Sequence, residues 1–309
     1  MLRDASSVTD TLSDAPEAAG PSDGGPLVEK DAASDRASDT SPVTCELSKP
    51  FGPPAAPEGF TLDMDDNAIF LLDDRLSAYI AGFRDQGAGG GDIWEVRRSS
   101  VDVPFGPPIR VNVNNAADEQ YPVPSHDGLR LFFTRFADPA PSVATRSSPT
   151  ASFAGSTGIT GLDGSEGVVF RHWLSHDDRL LYFDSIRISG RDDRDIYVAD
   201  LSVSSVVSNV RALSELNTSY DDGAPVLTAD GLTLYFTSRR PGGSGPDNDD
   251  IWIAHRSSPT AVFGDIRNVA ELNGPGHDSV SWVSPNGCIV FFKRITGGDQ
   301  NIFQAVRGS

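Results

Sequence analysis

One short phrase occurs five times along the chain: a turn carrying Asp or Asn, then a run of apolar and aromatic residues. It reads Asp73-Asp74-Arg75-Leu76-Ser77-Ala78-Tyr79, Asp127-Gly128-Leu129-Arg130-Leu131-Phe132-Phe133, Asp177-Asp178-Arg179-Leu180-Leu181-Tyr182-Phe183, Asp230-Gly231-Leu232-Thr233-Leu234-Tyr235-Phe236 and Asn286-Gly287-Cys288-Ile289-Val290-Phe291-Phe292. The turns follow one another at steps of 54, 50, 53 and 56 residues, long enough for one four-stranded sheet per step and characteristic of propeller arrays. No long segment has helical periodicity. The expected class is all-β: a single β-propeller, five four-stranded blades, with six blades as the alternative.

The remaining strands are found by counting from the turn. A second apolar run follows a Gly- or Asp-rich loop in Asp92-Ile93-Trp94-Glu95-Val96, Asp195-Ile196-Tyr197-Val198, Asp250-Ile251-Trp252-Ile253 and Asn301-Ile302-Phe303, and it pairs with the first as a hairpin. Past it stands an Arg with a Phe seven residues on: Arg98 and Phe105, Arg146 and Phe153, Arg256 and Phe263. Outer strands are expected over Ile109–Val113, Val210–Leu213 and Ile266–Val269, and Val280–Val283 leads into the last turn. The hairpin strands are nearly continuous in apolar residues, as expected where both faces are packed.

Phe51-Gly52 lies 22 residues before Asp73, the spacing of Phe105-Gly106 from Asp127, so the chain enters at the outer strand of a blade. The last repeat stops soon after Phe303 and lacks that strand. Residues 45 to 64 are therefore expected to complete the last blade and remove its open edge. Cys45 and Cys288, the two cysteines, then fall in the same blade. A disulfide latching the ring is one expectation and implies an oxidising compartment; two unrelated thiols is the other.

The net charge of −19 argues against nucleic acid or an anionic membrane surface as partner. No apolar run approaches the roughly 20 residues that span a bilayer. Residues 1 to 44 carry nine acids against three bases and no aromatic residue; such a segment is expected to be a disordered linker, ahead of a propeller domain over 45–309. Met1-Leu2-Arg3-Asp4 begins no apolar signal segment.

The stretch Thr228-Ala229-Asp230-Gly231-Leu232-Thr233-Leu234-Tyr235-Phe236-Thr237-Ser238-Arg239-Arg240-Pro241-Gly242-Gly243, followed by Asp250-Ile251-Trp252-Ile253-Ala254, resembles the WD40-like (PD40) propeller repeat of TolB-like proteins. The resemblance covers about residues 60 to 309. It implies a periplasmic or extracellular, envelope-associated protein, in some members lipid-anchored, that binds a protein or glycan without catalysis. Five repeats here, against a six-bladed ring with an added domain in TolB, keep TolB's own partner from being carried over. A monomer is expected.

Eight positions before the turns stand Asp65, Glu119, Val169, Asp222 and Asp278, with Glu166 three residues before Val169. A ring of carboxylates at one channel mouth could bind a ligand or a divalent cation such as calcium, although no cofactor is required; equally, each could cap a turn. Asp65, Glu119, Asp222 and Asp278 are also the candidates for the alternative function, a five-bladed glycoside hydrolase with an acid and a nucleophile on separate inner strands. Arg84, Arg135, Arg187, Arg239 and Arg294 are expected to face Asp92, Asp195 and Asp250 across the hairpin mouths. His126 and His176 immediately precede turn Asp residues and read as turn residues. No Gly-x-Ser-x-Gly or His-Glu-x-x-His motif occurs.

Overall fold

The computed structural model describes residues 44–308 apart from 64, 86, 137, 139, 163–167, 187–192 and 246. The acidic segment 1–44, except its last residue, and both Glu166 and Arg187 lie outside the described residues. What is described is a five-bladed β-propeller without a helix. Blade 1 is β1 (Asp66–Leu71), β2 (Ser77–Gly82), β3 (Asp92–Arg97) and β4 (Ile109–Arg110). Blade 2 is β5 (Glu119–Pro124), β6 (Arg130–Arg135), β7 (Ser142–Thr145) and β8 (Ser156–Gly158). Blade 3 is β9 (Val168–Leu174), β10 (Leu180–Ile186), β11 (Asp195–Leu201) and β12 (Val207–Ala212). Blade 4 is β13 (Asp222–Leu227), β14 (Thr233–Ser238), β15 (Asp250–His255) and β16 (Gly264–Asn268). Blade 5 contributes β17 (His277–Val283), β18 (Ile289–Thr296) and β19 (Asp299–Val306).

Every blade is an antiparallel meander in sequence order. The first strands, β1, β5, β9, β13 and β17, pack on one another round the ring and wall the channel. The second strands carry the largest buried side chains, among them Tyr79, Phe132, Tyr182, Tyr235 and Phe291. Their apolar runs are continuous because both faces of the strand meet a neighbouring blade.

The turn phrase has a hydrogen-bond explanation. Ser125 Oγ donates to Asp127, whose carboxylate also accepts the Leu129 N–H at 2.9 Å. The same arrangement recurs at Ser175 and Asp177, at Thr228 and Asp230, and at Ser284 and Asn286. The next residue is left-handed: Gly128 and Gly231 at φ 66°, Gly287 at 74°. In blade 1 the left-handed residue is Arg75 (φ 57°), and Asp74, not Asp73, accepts the Leu76 N–H. The blade 1 turn is therefore one residue later than its sequence suggests.

The N-terminal segment closes the ring as expected. Phe51 bridges Arg307 and Ala55 bridges Gln304, with Gly52 N–H donating to Val306 at 2.8 Å and Gln304 N–H to Ala55 at 2.7 Å. Arg307, 5% exposed, donates to the carbonyls of Leu47 and Lys49 and to the Tyr235 hydroxyl, while its guanidinium lies 4.1 Å over the Phe51 ring. Within blades 1, 2 and 4 the same clamp is local: Arg98 over Phe105, Arg146 over Phe153 and Arg256 over Phe263, at 4.4, 4.6 and 4.3 Å. The seven-residue Arg–Phe spacing is thus a cation–π contact, and in blade 5 it joins the two ends of the domain.

Cys45 and Cys288 form a disulfide across 243 residues. A crosslink over so long a loop removes much denatured-state entropy, and roughly 2–5 kcal/mol is expected from it. Reduction, or Cys45→Ser, should lower the urea midpoint by that amount of stability while the far-ultraviolet circular dichroism of the folded protein stays unchanged.

Candidate ligand-binding face

The propeller presents two faces. One carries the turns joining first and second strands; the other, the loop face, carries the hairpin loops between second and third strands and the entries to the inner strands. On the loop face, four carboxylates stand at those entries: Asp66, Glu119, Asp222 and Asp278, each no more than 1% exposed. Asp66 replaces Asp65, which is exposed, because counting eight back from the true turn residue Asp74 arrives at Asp66. Blade 3 has Val169 in this register, and its carboxylate comes instead from Asp184 on β10, also fully buried.

Each carboxylate is matched by a guanidinium. Arg84 pairs with Asp66, Arg135 with Glu119 at 2.8 Å, Arg240 with Asp222 at 2.7 Å and Arg294 with Asp278 at 2.6 Å. Arg194 lies 3.7 Å from Asp184. The carboxylates also accept backbone N–H groups from the incoming loop: Asp63 on Asp66, Asn115 on Glu119, Thr218 on Asp222 and Gly274 on Asp278, at 2.6–3.1 Å. The arginines donate onward to carbonyls of the same loops, Arg240 to Leu216 and Arg294 to Leu272. In blades 1, 2, 4 and 5 carboxylate, guanidinium and loop backbone make one clamp each, which fixes where the chain enters its inner strand; in blade 3 Asp184 accepts the N–H groups of Arg171 and Ala224 instead.

The expected pairing of arginines with Asp92 and Asp250 across the hairpin mouths is not what forms. Asp92 accepts the Ala88 N–H and Asp250 the Ser244 N–H, both capping glycine-rich loops. A Cβ at Gly243 would come within 1.7 Å of Asp250 Oδ2, so any larger residue there would displace that carboxylate from its cap. Arg239 points to Asp221 and Asp249, at 2.8 Å each, and it is the next residue, Arg240, that holds Asp222.

Burial raises the pKa of Asp66 and of Asp278, against the pull of Arg84 and Arg294. The cause is common to both and does not assign them different roles, as an acid and a nucleophile require. Further along the channel, burial lowers the pKa of Lys293, which also lies near Arg171. The Arg171 guanidinium stacks 4.6 Å over Tyr121, and these two cations outweigh the effect of burial and lower the tyrosine's pKa. His172 is 4% exposed, and the Phe132 backbone is the polar group acting on its ring.

Among the described residues of the loop face, three aromatic rings are open to solvent. Phe83 and Phe136, at the ends of β2 and β6, are 45% and 48% exposed, and Tyr220, before β13, is 42% exposed. Phe83 N–H donates to Asp65 and Phe136 N–H to Asp118, so both rings are anchored beside inner-strand entries. Around them the charged side chains are cross-linked: Arg194 and Arg239 share Asp221, and Asp249 joins Arg239 to His277. Phe83 and Phe136 share one register, nine residues after the capping Asp74 and Asp127, where the other blades have Ile186, Arg239 and Ile295; the shift from Asp73 to Asp74 hides the match in the sequence, and Tyr220 has no counterpart in it.

Comparison with known proteins agrees on architecture. The endo-arabinase of Bacteroides thetaiotaomicron superposes with a TM-score of 0.55 at 14% identity, covering 84% of this chain and 98% of that one. The catalytic domain of a Coprinopsis cinerea GH62 α-L-arabinofuranosidase gives 0.49 at 10%, covering 84% and 97%. TolB from Acinetobacter baumannii gives 0.49 at 15%, covering 84% of this chain and 55% of that one, so the chain spans about half of its length. At such identities the likeness is one of fold. No family model matches the chain, and no curated relative does.

Two measurements test the clamp and the channel. Asp222→Ala leaves Arg240 buried without its partner and should cost about 3–5 kcal/mol in urea denaturation; Asp222→Ala with Arg240→Met should recover part of it. Burial pushes the His172 pKa down to about 4, the Phe132 backbone offsetting only a part. Above about pH 6.5 folded and unfolded chains are both neutral at this residue. As pH falls from there towards 4, the unfolded chain takes up a proton that the folded one refuses, so stability drops by about 1.4 kcal/mol per pH unit, about 3 kcal/mol in all. His172→Phe should lose this component of the acid sensitivity.

Proposed function

We propose that this protein is a non-enzymatic recognition propeller of an oxidising, extracytoplasmic compartment, binding a protein or glycan partner through its loop face. The observation that carries the proposal is the contrast on that face between carboxylates and aromatic rings. The acids in the inner-strand register are sealed and neutralised by arginine, whereas Phe83, Phe136 and Tyr220 stand open to solvent. Exposed aromatic rings on rigid supports supply contact area with little entropy loss, towards sugar faces or towards a protein surface. The disulfide supports the compartment.

A hydrolase on the same fold would need two carboxylates in contact with substrate, one kept protonated. Reaching Glu119 or Asp222 requires a ligand to displace a guanidinium and a backbone N–H from each. The fold shared with the endo-arabinase does not alter that geometry.

A glycan array and crosslinking to extracytoplasmic proteins, read with the parent and with Phe83→Ala/Phe136→Ala/Tyr220→Ala, test the reading. Retention by the parent, at least tenfold weaker in the triple variant at unchanged thermal stability, is expected. Release of reducing sugar by the parent that Glu119→Gln and Asp222→Asn abolish would replace this reading with the hydrolase one.

A further inference from the structure

The opposite face carries a feature that the five blades do not share. In each turn the residue before the capping Asp or Asn points to the channel's end, and these residues are Asp73, His126, His176, Ala229 and Pro285. All five line one small opening. Three consecutive blades thus place metal-ligand side chains at one structural position, and the other two place residues without a donor.

The three side chains meet. Their ligand atoms lie within 4.8 Å of one another. His126 Nε2 is 3.7 Å and His176 Nδ1 is 3.9 Å from Asp73 Oδ2, with the two imidazole centroids 4.1 Å apart. Bonds of about 2.0–2.1 Å in a tetrahedral shell put ligand atoms about 3.4 Å apart, so the two edges at Asp73 would contract by about 0.3 and 0.5 Å and the His126–His176 edge by up to about 1.4 Å, which rotation of exposed side chains can supply. All three groups are accessible from solvent.

A fourth residue orients the first histidine. His126 Nδ1 lies 3.1 Å from Asp178 Oδ1, and the His126 backbone N–H donates to the same carboxylate. With the proton on Nδ1, Nε2 turns a lone pair towards Asp73, an arrangement that a cation between them satisfies. A histidine whose second nitrogen is held by a carboxylate is the usual outer shell of a metal-bound imidazole. Asp178 occupies the left-handed position of its turn, φ 56°, where blades 2, 4 and 5 use glycine. Its side chain exists there at some conformational cost, and that side chain is what reaches His126.

We infer that Asp73, His126 and His176 form a divalent transition-metal site at the turn-face mouth of the channel, with Asp178 as a positioning residue for His126. Two imidazoles and one carboxylate favour zinc, cobalt, nickel or copper over calcium and magnesium, which prefer all-oxygen shells. Three protein ligands leave a coordination position for water or for a donor atom of a ligand. The inference is independent of the loop-face reading, since it uses the other face and other residues.

The test is titration of the untagged, chelator-treated full chain with zinc chloride by calorimetry, and with cobalt chloride by visible absorption. One equivalent of zinc should bind, with a rise in melting temperature, and cobalt should give d–d bands of a site with nitrogen and oxygen ligands. His126→Ala and His176→Ala should each weaken zinc binding at least tenfold, and Asp178→Asn about 10- to 100-fold, with the circular dichroism of the metal-free proteins unchanged. Should a variant fail to fold, the milder His126→Gln and His176→Gln provide the same comparison. Absence of stoichiometric binding by the parent, or binding that survives His126→Ala/His176→Ala, would overturn the inference.

Discussion

The structure depends first on the capture of residues 51–55 by β19. Without it, β19 would be a free edge strand in the one blade whose own sheet has three strands. The contact is reinforced at three levels: backbone hydrogen bonds, the Arg307 guanidinium lying over Phe51, and the Cys45–Cys288 bond. These are different interactions with different sensitivities. Reduction removes the covalent one and leaves the other two, so the ring is latched by the disulfide and built by the strand.

Closure explains why the buried Arg–carboxylate pairs are tolerable. A buried ion pair is a poor source of stability unless its remaining hydrogen-bond groups are satisfied. In blades 2, 4 and 5 the carboxylate oxygen not held by arginine takes a backbone N–H of the loop that leads into the inner strand, and in blades 4 and 5 the arginine returns a hydrogen bond to that loop's carbonyl. The loop is positioned by its neighbours in the ring, so the clamps are pre-organised only once the ring is closed. Their work is to pin the channel wall, and it leaves them poorly suited to chemistry on a substrate.

Much of this was legible in the sequence because the turn phrase is a hydrogen-bonding unit with fixed spacing. It located the strands, the outer-strand role of Phe51 and the neighbouring cysteines. It failed where chemistry and spacing diverge. Asp73 and Asp74 are adjacent carboxylates, and only the left-handed Arg75 shows which one caps the turn, so the register acid moved from Asp65 to Asp66. Asp184 was hidden because blade 3 takes its carboxylate from the second strand, where it accepts the N–H groups of Arg171 and Ala224 on two inner strands. A second recurring device lies outside the turn phrase: Asn114, Asn217 and Asn273 each use the side-chain amide to bracket the backbone of Ile93, Ile196 or Ile251. Its signal was present as an Asn thirteen residues before three of the turns.

The same logic separates architecture from function at the turn face. His126 and His176 are turn residues by position, and nothing in their spacing distinguishes them from Ala229 and Pro285. What distinguishes them is that the ring brings the equivalent positions of five turns to one axis, turning a one-dimensional repeat into a circle of five side chains. A repeat protein can change any member of such a circle without disturbing the hydrogen bonds that define the turn, because the capping Asp and its Ser or Thr partner are other residues. The position is therefore structurally free, and three blades fill it with groups that bind metals. On the loop face Phe83, Phe136 and Tyr220 are likewise outside the clamps. In both places the residues that can act on another molecule are those that the propeller does not need in order to fold.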